Sequence, residues 1–182
     1  MRGRNVENRR GTVSVFNGPA PTIEVFDGPD QEAAAVGEWI ADRLKDGIQP
    51  HEIGVFVRAD GQLKRARAAV KAAGVKANEL SDKVETTVGH ASISNMHLAK
   101  GLEFRAVVVM ACDDEVVPLQ DRIETVSDDS DLEEVYNTER HLLYVACTRA
   151  RDHLLVTGVD PASEFLGDLI EHEQAGFSQE LA

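Results

Sequence analysis

Aromatic side chains are scarce in this sequence: six phenylalanines, two tyrosines and one tryptophan make up 5% of it. A groove that held unpaired bases by stacking would have to borrow most of its platforms from elsewhere. Cysteine is scarcer. Cys112 and Cys147 lie far apart and form no Cys-x-x-Cys pair, which predicts reduced, packed thiols rather than a disulfide or zinc site. His51, His90, His141, His153 and His172 show no metal-ligand spacing, and no metal is assigned to the chain. There is no Gly-Lys dipeptide, because Lys100 precedes Gly101, so the G-x-x-x-x-G-K-[ST] phosphate loop is absent. No apolar run approaches the length of a membrane span, and the basic opening MRGRNVENRR leads into no apolar signal region. The expectation is a cytoplasmic chain without a membrane partner.

What is present is acid. The 182 residues carry a formal net charge of −13, which argues against a free-standing nucleic-acid binder. Ten carboxylates between Asp113 and Glu134 face only Arg122, so that one segment holds nine of the thirteen net charges. The rest of the chain is nearly balanced and leaves room for a basic groove.

Residues 1–21 read as a lead-in segment from a longer chain, with one short apolar piece, TVSVF. TIEVFDG (22–28) alternates and ends at Asp-Gly, a strand and turn. Asp30 is placed to cap a helix whose Ala33, Val36, Ile40 and Leu44 share a face and which Gly47 stops. EIGVFVR (52–58) reads as a buried strand, and Asp60 as the cap of a second helix with Leu63, Ala66, Val70 and Ala73 on one face, ended by Gly74. VKANEL, SISNMH (92–97) and FRAVVVMAC (104–112) read as further strands. An acidic loop, a long helix near 131–149, the strand DHLLVTG (152–158) and a helix opened by Pro161 complete the pattern, with a tail at 173–182. Apolar strands alternating with helices predict a single α/β domain over 22–172, a parallel sheet with helices on both faces. Ligands of such sheets gather beyond the carboxyl ends of the strands, where Arg58, the His97–Glu103 segment and Asp113 are expected.

Each polar candidate has a plain reading. Asp113, Asp114 and Glu115 follow an apolar strand as Mg²⁺-binding carboxylates do, and a metal-dependent nuclease could use them. Without a phosphate loop the better reading is a solvated acidic loop. Glu139 interrupts the apolar stripe Leu132, Val135, Leu142, Ala146 of the long helix, where a charge is costly unless paired. A structural ion pair with an arginine of another element is favoured. Arg149, at the end of that helix, could simply serve a C-terminal carbonyl or a surface carboxylate.

HLAKGLEF at 97–104 and ERHLLYVACTRA at 139–150 resemble motifs V and VI of the UvrD/Rep-type superfamily 1 helicases, and IGVFVRADGQ at 53–62 is similar to their motif IV. The three stand in the family's order and cover most of residues 53–157. The resemblance implies a RecA-like fold, the second of two motor domains with ATP bound in the cleft between them. It implies Arg149 as an arginine finger, Arg58 as a second γ-phosphate contact, Glu103 accepting from the ribose and Gly101 allowing close backbone approach. His97 and Asn95 would face single-stranded DNA, with His97 linking that groove to the nucleotide. Mg²⁺ and the phosphate loop would belong to the N-terminal RecA-like domain, the implied partner. This chain alone would then be inactive as an ATPase.

Two features depart from the family. Only about thirty residues separate Arg58 from Ser92, where the family commonly inserts a large helical subdomain, so the functions of that insertion are not implied here. Asn95 stands where a hydroxyl residue is usual, two before the histidine; its amide can still bond a phosphate. The competing expectation is a helicase-derived interaction module that binds a protein partner through its acidic segment.

Overall fold

A computed structural model describes residues 18–82 and 84–170. TVSVF, almost all of the lead-in segment and the 173–182 tail lie outside the described residues.

The strands are β1 (Thr22–Phe26), β2 (Ile53–Val57), β3 (Lys76–Glu79), β4 (His90–Asn95), β5 (Phe104–Val109) and β6 (Ala150–Val159). They form one parallel sheet in the order β1-β6-β5-β2-β4-β3. Every residue of β2, the apolar run IGVFV, is buried, as a central strand covered on both faces requires. Register explains the two cores. Ile93, Val55, Val108 and Leu155 stand side by side across four strands and point to one face. Their successors Phe56, Val109 and Val156 point to the other. Helices α1 (Pro29–Lys45) and α2 (Leu63–Ala72) cover the first face. On the second lie α4 (Asp129–Cys147), the 3₁₀ turn Met96–Ala99 and helical residues from 165. The expected α/β sheet with helices on both faces is the one observed.

The differences are local. Asp30 is not a cap: Gly28 is the N-cap, Pro29 opens α1, and Asp30 stands two residues past the cap, inside the first turn. Asp60 starts a 3₁₀ turn, Asp60–Gln62, and its carboxylate accepts from Asn95 instead of capping α2. The acidic stretch is no simple loop. It contains α3 (Gln120–Glu124), and α4 begins at Asp129, capped by the Asp128 carboxylate on the Asp131 amide. Within α4, Leu143 is buried and Leu142 only half-buried, a small rotation of the expected stripe. Pro161 does not open the last helix, which starts at 165 after Ser163 accepts from the Phe165 amide.

Candidate functional site

Because β4 and β5 run parallel, the chain between Asn95 and Phe104 must return from the carboxyl end of the sheet to its amino end. The turn Met96–Ala99 together with residues 100–103 makes that crossing. The expectation that His97–Glu103 lies wholly at the carboxyl ends is therefore corrected. Asn95 and His97 are there, with Arg58 and Asp113, while Gly101 and Glu103 sit at the amino end of β5.

At the carboxyl ends, Arg58 follows β2 and is 3% exposed. Its Nε and Nη2 donate to the two oxygens of Glu139, each at 2.6 Å, in a bidentate pair. Glu139 is fully buried, and also accepts from the Leu119 amide at 3.2 Å and Arg122 Nη1 at 3.0 Å. Burial alone would raise its carboxyl pKa, but the hydrogen bonds and charge of Arg58, with Leu119 and Arg122, hold it below the usual range. The ion pair expected for Glu139 exists, and its partner is the expected phosphate ligand itself. The remaining nitrogen, Arg58 Nη1, lies 3.2 Å from His97 Nε2. Asn95 is partly committed: its Nδ2 donates one N–H to Asp60 at 2.8 Å and its Oδ1 accepts from the His97 amide at 3.1 Å, which leaves the second N–H of Nδ2 without a protein acceptor among the described residues. Asn95, His97, Asp60 and Leu98 line a groove of about 280 Å³.

At the amino end a second group forms. Phe104 N donates to the Arg149 carbonyl at 3.0 Å, and Arg149 Nη1 donates to the Leu102 carbonyl at 3.2 Å. Its Nε reaches Val145 O at 3.0 Å and its Nη2 the Thr148 hydroxyl at 3.2 Å. All three acceptors are neutral, and half-buried Arg149 has no carboxylate partner among the described residues. The plain role of serving its own helix's carbonyl is thus fulfilled. Glu103 is exposed, and Gly101 has φ +82 with open space where a Cβ would stand. Through the Leu102 carbonyl, Arg149 is joined to the segment that carries Gly101 and Glu103. The structure does not join Arg58 to them: Arg58 bonds Glu139 and His97 beyond the carboxyl end of β2, whereas Arg149 bonds Leu102 and Val145 beside the amino end of β5.

A third network had no clear signal in the sequence. Buried Glu32 accepts from the Ala111 amide at 2.9 Å, Thr157 Oγ1 at 2.7 Å and Arg65, which in turn pairs with Asp113. Asp113 also accepts from the Val159 amide at 2.7 Å. Asp113 is thus committed to holding α1, α2, β5 and β6 together, which removes it from the metal-dependent nuclease reading. Only its position beside the acidic run hinted at it; Glu32 on an otherwise apolar helix face was the missed clue. Burial pushes the Cys147 thiol up to about 12 and Cys112 well above its ordinary value, so both are inert packing thiols.

The parallel α/β sheet thus carries the Arg149 cluster at its amino end and a histidine-lined groove at its carboxyl end. The model of the UvrD-like helicase C-terminal domain matches residues 67–160, and the chain belongs to that family. It is 38% identical over 79 residues to YjcD of Bacillus subtilis (strain 168), which carries an ATP-dependent DNA helicase name. It is 33% identical over 97 residues to the ATP-dependent DNA helicase UvrD1 of Mycobacterium leprae (strain TN). These matches take in 42% and 53% of this chain but only 10% and 11% of the relatives, so the chain spans about a tenth of their length. Among solved structures, the C-terminal domain of a possible DNA helicase from Lactobacillus plantarum WCFS1 superposes with a TM-score of 0.54. That match covers 84% of each chain at 21% identity, a likeness of fold. Arg58 lies outside the family-matched span.

Proposed function

We propose that this chain is the second RecA-like motor domain of an ATP-dependent DNA helicase. In this reading it completes an ATP site held by an N-terminal RecA-like domain, and couples hydrolysis to movement along single-stranded DNA. The observation that carries the reading is the joining of two distant segments at the amino end of β5 and β6, through the Arg149 guanidinium on the Leu102 carbonyl. The residues there fit a nucleotide. Arg149 donates only to neutral oxygens, so exchanging them for phosphate oxygens gains charge attraction at little cost. The open backbone at Gly101 admits close approach, and the exposed Glu103 carboxylate can accept from ribose hydroxyls. Mg²⁺ is assigned to the other domain.

Arg149 is accordingly the arginine finger, stabilising charge that develops on the transferred phosphoryl group. Arg58 serves as a second phosphate contact only in a closed state that draws it away from Glu139. Breaking that buried bidentate pair would leave Glu139 with only Arg122 and the Leu119 amide, a cost of up to about 3–5 kcal/mol, so Arg149 carries the assignment. At the other end His97 faces the DNA strand, with Asn95 capping the turn that holds it. Closure of the cleft on ATP and its reopening would then move the strand between two grips.

The 182 residues alone should show negligible ATPase activity, and adding the N-terminal domain should restore turnover. In the restored protein Arg149→Ala should lower the rate by about 10³- to 10⁵-fold while ATP still binds. Undiminished turnover would refute the finger. The second reading, a protein-binding module, draws on the exposed acidic outer face of α4, where Glu133, Glu134, Asn137 and His141 lie side by side. A folded chain that no N-terminal domain can activate, yet that captures a basic protein through this face, would favour it.

A further inference from the structure

His97 is exposed, and the hydrogen bond its ring makes among the described residues is with Arg58 Nη1; Asp60 lines the same groove but is bonded to Asn95. A guanidinium has only donors, so at 3.2 Å from Arg58 Nη1 the His97 Nε2 must present its lone pair. An imidazole whose Nε2 accepts while neutral carries its proton on Nδ1, the tautomer less favoured by a free histidine side chain in water. Arg58 is itself immobilised. Glu139 takes Nε and Nη2, both at 2.6 Å, and leaves Nη1 as the one nitrogen turned to the ring. Glu139 is held in its turn by Leu119 and Arg122.

We propose that Arg58 is a positioning residue for His97: set by Glu139, it fixes the imidazole as the neutral Nδ1–H tautomer, so the ring offers the groove one N–H donor. The ligand it suits is a hydrogen-bond acceptor, a phosphate oxygen or base carbonyl of a nucleic-acid strand. This choice of ligand rests on the reading that His97 faces DNA, whereas the tautomer rests on the geometry alone. It also gives the ion pair a consequence outside the core. Any event that draws Arg58 from Glu139 removes the constraint on the ring and changes which nitrogen donates.

Nitrogen NMR of the chain labelled with ¹⁵N-histidine reads the tautomer directly. Above the ordinary histidine titration range, His97 should show a protonated Nδ1 and a bare Nε2. Since Arg58→Gln alone removes the bidentate partner of buried Glu139 and destabilises the chain, the informative variant is the pair Arg58→Met with Glu139→Leu. It removes both charges together and should return His97 to a predominantly Nε2–H form. An Nε2–H ring in the unaltered chain, or an Nδ1–H ring that persists in the folded double variant, overturns the proposal. Titration with oligothymidylate addresses the DNA reading separately. A His97 ring with the stated tautomer that ignores the oligonucleotide would remove the ligand and leave the positioning role standing.

Discussion

A single carboxylate decides much about this domain. Glu139 breaks an apolar stripe, and that is legible in the sequence as a charge needing a partner; the identity of the partner is not. Arg58 lies 81 positions away and is recognisable by its motif for a different task. Its bidentate geometry and burial make the pair a strong structural contact, so losing one member should cost far more than losing both. Glu139→Gln should destabilise the chain by about 3–5 kcal/mol in urea unfolding, whereas replacing Arg58 and Glu139 together with apolar residues of similar volume should be near neutral or stabilising. A single substitution costing under about 1 kcal/mol would mean that something else neutralises the buried Arg58. Arg149 shows the opposite residue-level lesson. Its sequence context gives a plain role and a functional one, and the structure satisfies the plain role with weak, neutral contacts that leave the functional one open.

At the level of elements, periodicity placed every strand and both helices of the α1–α2 layer, because burial of alternate or every-third residues is written directly in the order of apolar side chains. Caps were less legible. Capping depends on which residue takes the extended conformation before the first turn, and Pro29 settles that for α1 by fixing the position after Gly28. Helix contact was not legible at all. Gly37 reads as a weak helix residue, yet a Cβ there would stand 2.6 Å from the Ala72 Cβ and 3.1 Å from the Ala69 carbonyl. Gly37→Ala gains about 1 kcal/mol of helix propensity but forces α1 from α2, at about 1–3 kcal/mol. The variant should therefore unfold at lower urea than the parent. A stabilised variant would show that the two helices can separate freely.

Across the whole molecule, the parallel sheet assigns different work to its two ends. Residues 96–103 carry the chain from one to the other, which splits the segment 97–104 between the histidine groove and the Arg149 cluster. The amino end has its own charge cluster. Arg105 donates to Asp152 at 2.8 Å and binds β5 to β6, while Arg151 donates to the same carboxylate. Hydrogen bonds from Arg151 and Arg105 lower the Asp152 pKa from 3.8 to about 2. The folded state thus binds this proton less readily than the unfolded chain. The resulting stabilisation is complete above about pH 4 and drains away as pH falls towards 2. Asp152→Asn should lose stability at neutral pH, and the gap from the parent should narrow between pH 4 and pH 2. A gap independent of pH across that window would assign the loss to packing instead of charge.

Order and type of side chains determined the strands, the layers and the three motif segments, since each follows from local spacing. Only the tertiary structure decided that Arg58 belongs first to Glu139, that Asp113 is tied to Arg65, and that Gly101 and Glu103 join Arg149 at the far end from His97. Those outcomes depend on strand order and on the low tolerance of a packed interior for unpaired charge. Neither is visible in any short stretch of the chain.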